Sequence, residues 1–254
     1  MRKYKEKIWQ VVFLLTACVS IGAVVLICVY LLGNGVPTIF KIGLGNFFGT
    51  VWKPSKNLYG IVPMIVGSVY VTAGAILIGV PIGLLCAVYL SRFCPRAIYR
   101  VLKPAVELMA GIPSIVYGFF GLMVIVPVIQ QLTGTSGKSL LTASVLLGIM
   151  ILPTIISVAE SSLNAVPNSY YEGSLALGAT HERSVFSAVL PAAKSGVMSG
   201  VILGVGRAIG ETMAVIMIAG NQAIMPSGLL KGLRTMTANI VLEMGYASGL
   251  HREA

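Results

Sequence analysis

The sequence predicts an all-α integral membrane protein. Three observations carry this. Of 254 residues, 56% are hydrophobic and only 10% are charged, whereas a soluble domain carries roughly 25% charged residues. Mean hydropathy is +0.91. The apolar residues fall in continuous runs near the ~20 residues that cross a bilayer, and continuous runs select helices over a β-barrel.

Taken in order, the N-terminal MRKYKEK is followed by an apolar run over 8–32. A signal-peptide core is about 7–15 residues long. This run is longer and no small-x-small cleavage site follows it, so it reads as a retained first span with a cytoplasmic N-terminus. Residues 33–60, punctuated by Gly, Asn and Pro, read as an outer loop. Further spans are expected at about 61–90, 104–130, 139–159 and 195–220, making five. The segment 160–194 is then a cytoplasmic loop, and 221–254 is an outer tail with no apolar run of spanning length. Residues 1–60 thus form a tail, span and loop, and 61–254 the core.

Lys and Arg test this topology. The inner segments hold four (1–7), four (91–103) and two (160–194), ten in all, while the outer segments hold seven: Lys41, Lys53, Lys56, Lys138, Lys231, Arg234 and Arg252. That bias fits the positive-inside rule. The net charge of +10 is therefore topological, and nucleic acid is not an expected partner.

Enzymatic chemistry has little to stand on. There is no aspartate, and the four cysteines form no C-x-x-C pair, so no metal site or disulfide framework is implied. GTSGKS (134–139) lacks the first glycine of a phosphate-binding loop, because Leu132 stands there. GVGRAIG (204–210) is not the dinucleotide pattern.

The fifth span carries the polar signal. Gly196, Gly200, Gly204, Ala208 and Thr212 recur every four residues, and Gly206, Gly210 and Ala214 form a second small stripe. Small residues at this spacing let helices approach closely in lipid. Arg207 and Glu211 lie i, i+4 near the middle of the run, and on a continuous helix they share one face. An ion there costs about 2.5–3.5 kcal/mol on insertion scales. The pair is expected either to lock helices together or to line a substrate path. Ser114, after the Gly111-Ile112-Pro113 break, is a further path candidate. Glu107 and Glu160, near inner ends of spans, read as interfacial.

The loop 160–194 predicts a helical hairpin. Asn168 is a candidate N-cap, Glu172 falls in the first turn, Gly178 is a C-terminal glycine, and Thr180 caps a second helix that stops at Pro191. Its apolar residues Tyr170, Leu175, Leu177 and Phe186 require something to pack on.

Residues 172–191, EGSLALGATHERSVFSAVLP, resemble the EAA motif of ABC importer permeases. Glu172 and Gly178 hold the E and G positions and Leu190-Pro191 closes the motif, while Gly173, Ser174 and Ala188 depart from it. AGIPSIVYGFFGL (110–122), GRAIGETMAVIMIAGN (206–221) and RTMTANIVLEMG (234–245) narrow the resemblance to the phosphate-specific, PstC-type permeases. It covers about 100–250. It implies a type I ABC importer permease bundle in a bacterial or archaeal plasma membrane. A PstA-type second permease, separate ATPase subunits that hold ATP and Mg, and an extracytoplasmic phosphate-binding protein are the implied partners. No cofactor is expected on this chain. Glu172, Gly173, Ser174, Leu177, Gly178, Ala179 and Thr180 would form the coupling helix and its cap. Arg207, Glu211, Thr212 and Ser114 would line the path of phosphate. Glu211 either releases Arg207 from a resting pair or accepts the proton that hydrogen phosphate carries and sulfate lacks. The resembled permeases have a sixth span after this point, so one is expected beyond Ala254. The alternatives are a same-fold permease for molybdate or phosphonate, and a proton-coupled secondary carrier.

Overall fold

The computed structural model describes residues 2–249 and 251, with side chains from residue 6 onward. A span expected past Ala254 lies outside the described residues. The chain divides into two units, Met1–Gly60 with Tyr246–Ala254, and Ile61–Gly245.

In the first unit, α1 (Arg2–Ile42) is one helix. It runs past residue 32, where a loop was expected. The polar residues there bond back into the helix instead of opening it: Asn34 Nδ2 donates to the Tyr30 carbonyl at 2.8 Å, and Thr38 Oγ1 to the Asn34 carbonyl at 3.0 Å. Gly43, at φ 84°, ends the run. A short helix α2 (Leu44–Phe47) follows, then a hairpin of β1 (Trp52–Lys53) and β2 (Leu58–Tyr59). Trp52 and Tyr59 pack edge to face, and His251 lies 6.2 Å from each ring.

In the second unit, α3 (Val62–Phe93), α5 (Ser114–Thr133) and α6 (Leu140–Asn164) are each long and apolar enough to span. With the span in α1 that makes four among the described residues, and a bent pair, α8 (His181–Ala192) with α9 (Lys194–Gly210), makes a fifth if counted as one. The core sits on α6, whose Leu146, Leu147, Met150, Ile151 and Ile155 are buried. It is flanked by α3 and α9 through glycines. A Cβ at Gly79 would meet the Gly148 carbonyl oxygen at 2.7 Å, and one at Gly204 would meet Ile155 Cγ1 at 2.8 Å. Only a missing side chain permits these approaches. The stripe at 196, 200 and 204 thus packs as expected. Gly206 and Gly210 have nothing within 4 Å, so these two positions of the second stripe are open, whereas Ala214 is buried.

Three boundaries differ from expectation. The stretch 104–111 is not part of a span: it belongs to α4 (Arg96–Gly111), a separate amphipathic helix. Pro113 cannot donate to the α4 ladder and biases Ile112 to extended backbone, at φ −70° and ψ 127°. The run 195–220 is not continuous either. Helix α9 stops at Gly210, Glu211 is extended at φ −70° and ψ 128°, and α10 (Met213–Ile218) starts afresh. Finally, the tail, where no spanning run was expected, folds back as a turn and a short helix. Gly220 and Asn221, both at positive φ, turn it back so that Leu233 N–H bonds the Ala219 carbonyl at 2.8 Å, and α11 (Met236–Met244) follows.

Candidate translocation and coupling sites

The two helix breaks lie at one level. Helices α5 and α10 run side by side in the same direction: a Cβ at Gly118 would meet Ala214 Cα at 2.9 Å, and one at Gly121 would meet an Ile218 methyl at 3.3 Å. Half-buried Ser114 opens α5 directly after the Pro113 break, one turn before Gly118.

Arg207 lies one turn before that break and is half-buried. Its Nη1 donates to Thr154 Oγ1 of α6 at 3.4 Å. It is also within electrostatic reach of the buried Tyr117 phenol in α5. Tyr117 Oη donates across the Pro113 break to the Met109 carbonyl at 2.9 Å. Arg207 is therefore bonded to one neighbouring helix, α6, and its charge is felt by Tyr117 of another, α5.

Glu211 does not pair with it. The i, i+4 geometry needed an unbroken helix, and the break turns Glu211 away. Its carboxylate instead accepts the Ala214 N–H at 3.2 Å and caps α10. Its carbonyl accepts Thr237 Oγ1 from α11 at 3.1 Å. Thr212 Oγ1 donates to the Gly210 carbonyl at 3.2 Å and closes the corner. Arg207 has no ion pair among the described residues, so its charge is available to an anion.

The tail after Asn221 is fastened to this corner. Arg234 Nε donates to the Asn221 carbonyl at 3.0 Å, and Nη1 to Asn239 Oδ1 at 2.9 Å and to Glu243 Oε1 at 2.7 Å. Met236 N–H reaches Ser68 Oγ on α3 at 3.0 Å.

The predicted coupling residues form a second cluster. Helix α7 (Asn168–Ala176) begins with Pro167 at the N-cap position and no side-chain cap. Asn168 is its first residue rather than its cap, and Glu172 is fifth, beyond the first turn. The proline supplies the fixed φ that opens the helix. At the other end Gly178, at φ 84°, donates to the Leu175 carbonyl at 2.9 Å, and Ala179 N–H donates to the Ser174 carbonyl at 3.2 Å. This doubly bonded left-handed stop needs a glycine at 178. Thr180 Oγ1 then accepts the Arg183 N–H at 3.4 Å and caps α8. Glu182, in the first turn, is held below its ordinary value of 4.5 by the backbone N–H and then by the Thr180 hydroxyl. Glu172 and Gly173 are exposed, and Leu177 is 91% exposed. The hairpin is tied to α3 where His181 meets Phe93 at 4.7 Å and Tyr171 Oη at 2.8 Å.

Known proteins settle the family. Residues 79–249 match the family described as binding-protein-dependent transport system inner membrane component. The chain belongs to this family. A probable ABC transporter permease protein, YqgH, of Bacillus subtilis strain 168 is 38% identical, over 92% of this chain and 79% of that protein. A phosphate transport system permease protein PstC of Xylella fastidiosa strain 9a5c is 35% identical, over 95% and 81%. A probable PstC protein of Methanocaldococcus jannaschii is 30% identical, over 90% and 80%. The fold is that of type I ABC importer permeases. The MetNI methionine ABC transporter in inward-facing conformations gives a TM-score of 0.54 at 22% identity, covering 75% of this chain and 82% of that one. An amino acid ABC transporter crystallised with histidines gives 0.55 at 18% identity, covering 81% and 88%.

This multi-pass membrane permease holds one charged cluster that its sequence hides. Glu160, read as interfacial, is 2% exposed on α6. Its carboxylate accepts Lys103 Nζ at 2.6 Å and Tyr99 Oη at 2.7 Å from α4. The Tyr99 hydroxyl is pushed up, first by the bond to Glu160 and then by burial. Burial alone would lower Lys103, but the bond to Glu160 and its charge outweigh that and raise it. Glu107 stays at the rim, 3.6 Å from Lys103. The available signal was Tyr99 and Lys103 at i, i+4, facing a lone acid in an apolar helix.

Proposed function

We propose that this chain forms half of the translocation pathway of an ATP-driven importer of inorganic phosphate in a bacterial or archaeal plasma membrane, with a cytoplasmic N-terminus. A second, PstA-type permease supplies the other half. ATP and Mg are held by partner ATPase subunits, and an extracytoplasmic binding protein delivers phosphate. The permease itself binds no cofactor.

One observation carries the reading: an arginine with no carboxylate partner among the described residues, bonded to Thr154 of α6 one turn before the break at Glu211. A guanidinium offers a planar fork of donors that suits phosphate oxygens. Ser114 and Thr212 add hydroxyls at the two helix breaks. Glu211 has a part its sequence position did not suggest. By capping α10 it keeps its negative charge off Arg207, leaving that charge to the anion. Its carbonyl bond to Thr237 ties the corner to the outer tail, so the corner moves as the tail moves.

The coupling role falls on 172–180. The left-handed stop at Gly178 and the cap at Thr180 stiffen an exposed knob ending in Leu177. That is what a protein docking in a groove of the ATPase needs. ATP binding closes the ATPases, shifts this knob, and favours the state whose contacts it fits.

The test is phosphate uptake by the assembled transporter carrying Arg207→Gln. A hydrogen bond to a charged group contributes about 1.5–3 kcal/mol, so uptake falls about 10–100-fold while assembly is retained. Unchanged uptake would remove Arg207 from the pathway.

A further inference from the structure

We infer that Glu160 is a positioning residue for transport, clamping α4 to the cytoplasmic end of α6 so that the pathway breaks follow the coupling hairpin. The inference rests on the ATP-driven reading above.

Helix α6 ends at Asn164, and the coupling hairpin begins at Asn168. The last turn of α6 is gripped from two sides. From α3, Ser91 Oγ donates to Asn164 Oδ1 at 2.7 Å, and Arg92 Nη2 to the Leu163 carbonyl at 2.7 Å. From α4, Lys103 and Tyr99 take the two oxygens of Glu160, 2.6 and 2.7 Å away. The first grip uses neutral acceptors at a helix end. The second places a carboxylate at 2% exposure against a cation at 20%, and removing one partner of such a buried pair leaves the other charge uncompensated; Glu107, 3.6 Å from Lys103, and Asn164, 3.5 Å from Glu160, are longer secondary contacts.

Helix α4 ends at the Ile112–Pro113 break, where the Met109 carbonyl accepts the hydroxyl of Tyr117, a phenol that feels the charge of Arg207. Helix α6 carries Thr154, the other neighbour of Arg207. Thr154 and Glu160 are six residues apart, about 9 Å along the axis. Both walls of the Arg207 site are thus joined through Glu160, one directly and one through α4. If the clamp is loosened, a shift of the hairpin still moves α6 and Thr154 but no longer carries α4 and Tyr117 with it.

The experiment uses the complete transporter in proteoliposomes, reading phosphate uptake, ATP hydrolysis and yield of assembled complex. Glu160→Gln keeps the shape and loses the ion pair. Uptake per ATP hydrolysed is expected to fall about tenfold, with hydrolysis and yield within about twofold. Glu160→Asp, which keeps the charge, recovers part of the ratio. Tyr99→Phe removes one bond to the carboxylate and lowers the ratio by less, which keeps the test open if Glu160→Gln assembles poorly. An unchanged ratio in Glu160→Gln and Tyr99→Phe, or a parallel drop in uptake, hydrolysis and yield, overturns the proposal. Failure of the ATP-driven reading is distinct: the unsubstituted complex would then show no ATP-dependent uptake.

Discussion

Arg207 and Glu211 were expected to be one unit and are two. The arginine reaches sideways to α6, and the glutamate reaches forward to the Ala214 N–H. Their substitutions therefore separate. Glu211→Gln keeps an acceptor oxygen for that N–H, so the corner holds. Glu211→Ala removes it, and losing a cap costs about 1 kcal/mol. Thermal unfolding of the purified complex is expected to fall for Ala and to change little for Gln. Equal losses would contradict the capping role. Competition by sulfate in the Gln variant tests the proton-acceptor reading, which requires that exclusion of sulfate weaken. The sequence made this site half legible. An arginine in an apolar run is visible by charge alone. The pairing was misread because i, i+4 assumes a helix, and Gly210 with β-branched Thr212 allowed the chain to turn between the two charges.

Among the elements, α9 divides its glycines between a packed and an open face. Gly204→Leu forces a side chain into Ile155, and overpacking of this kind costs about 1–3 kcal/mol. Gly206 has open space, and an alanine there gains up to about 1 kcal/mol of helix propensity. Thermal stability is expected to drop for the first and not for the second. The packed stripe was readable because close helix approach demands small residues at a four-residue period. The open one shares that period, and only the direction in which it faces separates them. At α8, Glu182 is depressed below 4.5 by the N-terminal amide and Thr180. Its support for the helix start is present above the unfolded value and is lost as pH falls through the folded one. Protection of the 181–184 amides, taken relative to intrinsic exchange at each pH, is expected to fall below about pH 4.5, and Glu182→Gln to abolish that dependence. Dependence that survives Glu182→Gln would assign it to another group. The hairpin's caps at Gly178 and Thr180 were legible, since residue type and turn chemistry agree there. Its start was not, because proline can replace a side-chain cap. The third span was placed ten residues early for a similar reason. The apolar residues of α4 continue smoothly into α5, and hydropathy alone cannot register the corner at Pro113.

Across the whole molecule, the proposed labour of transport divides among three parts. One is the exposed hairpin, one is Arg207, which has no ion pair among the described residues, and one is the tail fastened by Arg234 to Asn239 and Glu243. Long apolar runs made the class plain from composition. Contacts between distant segments, such as Thr237 to Glu211 or Lys103 to Glu160, were beyond reach because they depend on packing rather than on local pattern. Glu172→Lys, on the exposed face of the coupling helix, is expected to lower ATP-driven uptake without unfolding the permease. A fully coupled complex in that variant would count against the dock. The most direct measurement is phosphate uptake in proteoliposomes holding both permeases and the binding protein, with and without the ATPase subunits. Uptake is expected only when ATPase and ATP are both present. Uptake driven by a proton gradient in vesicles lacking the ATPase would contradict the account.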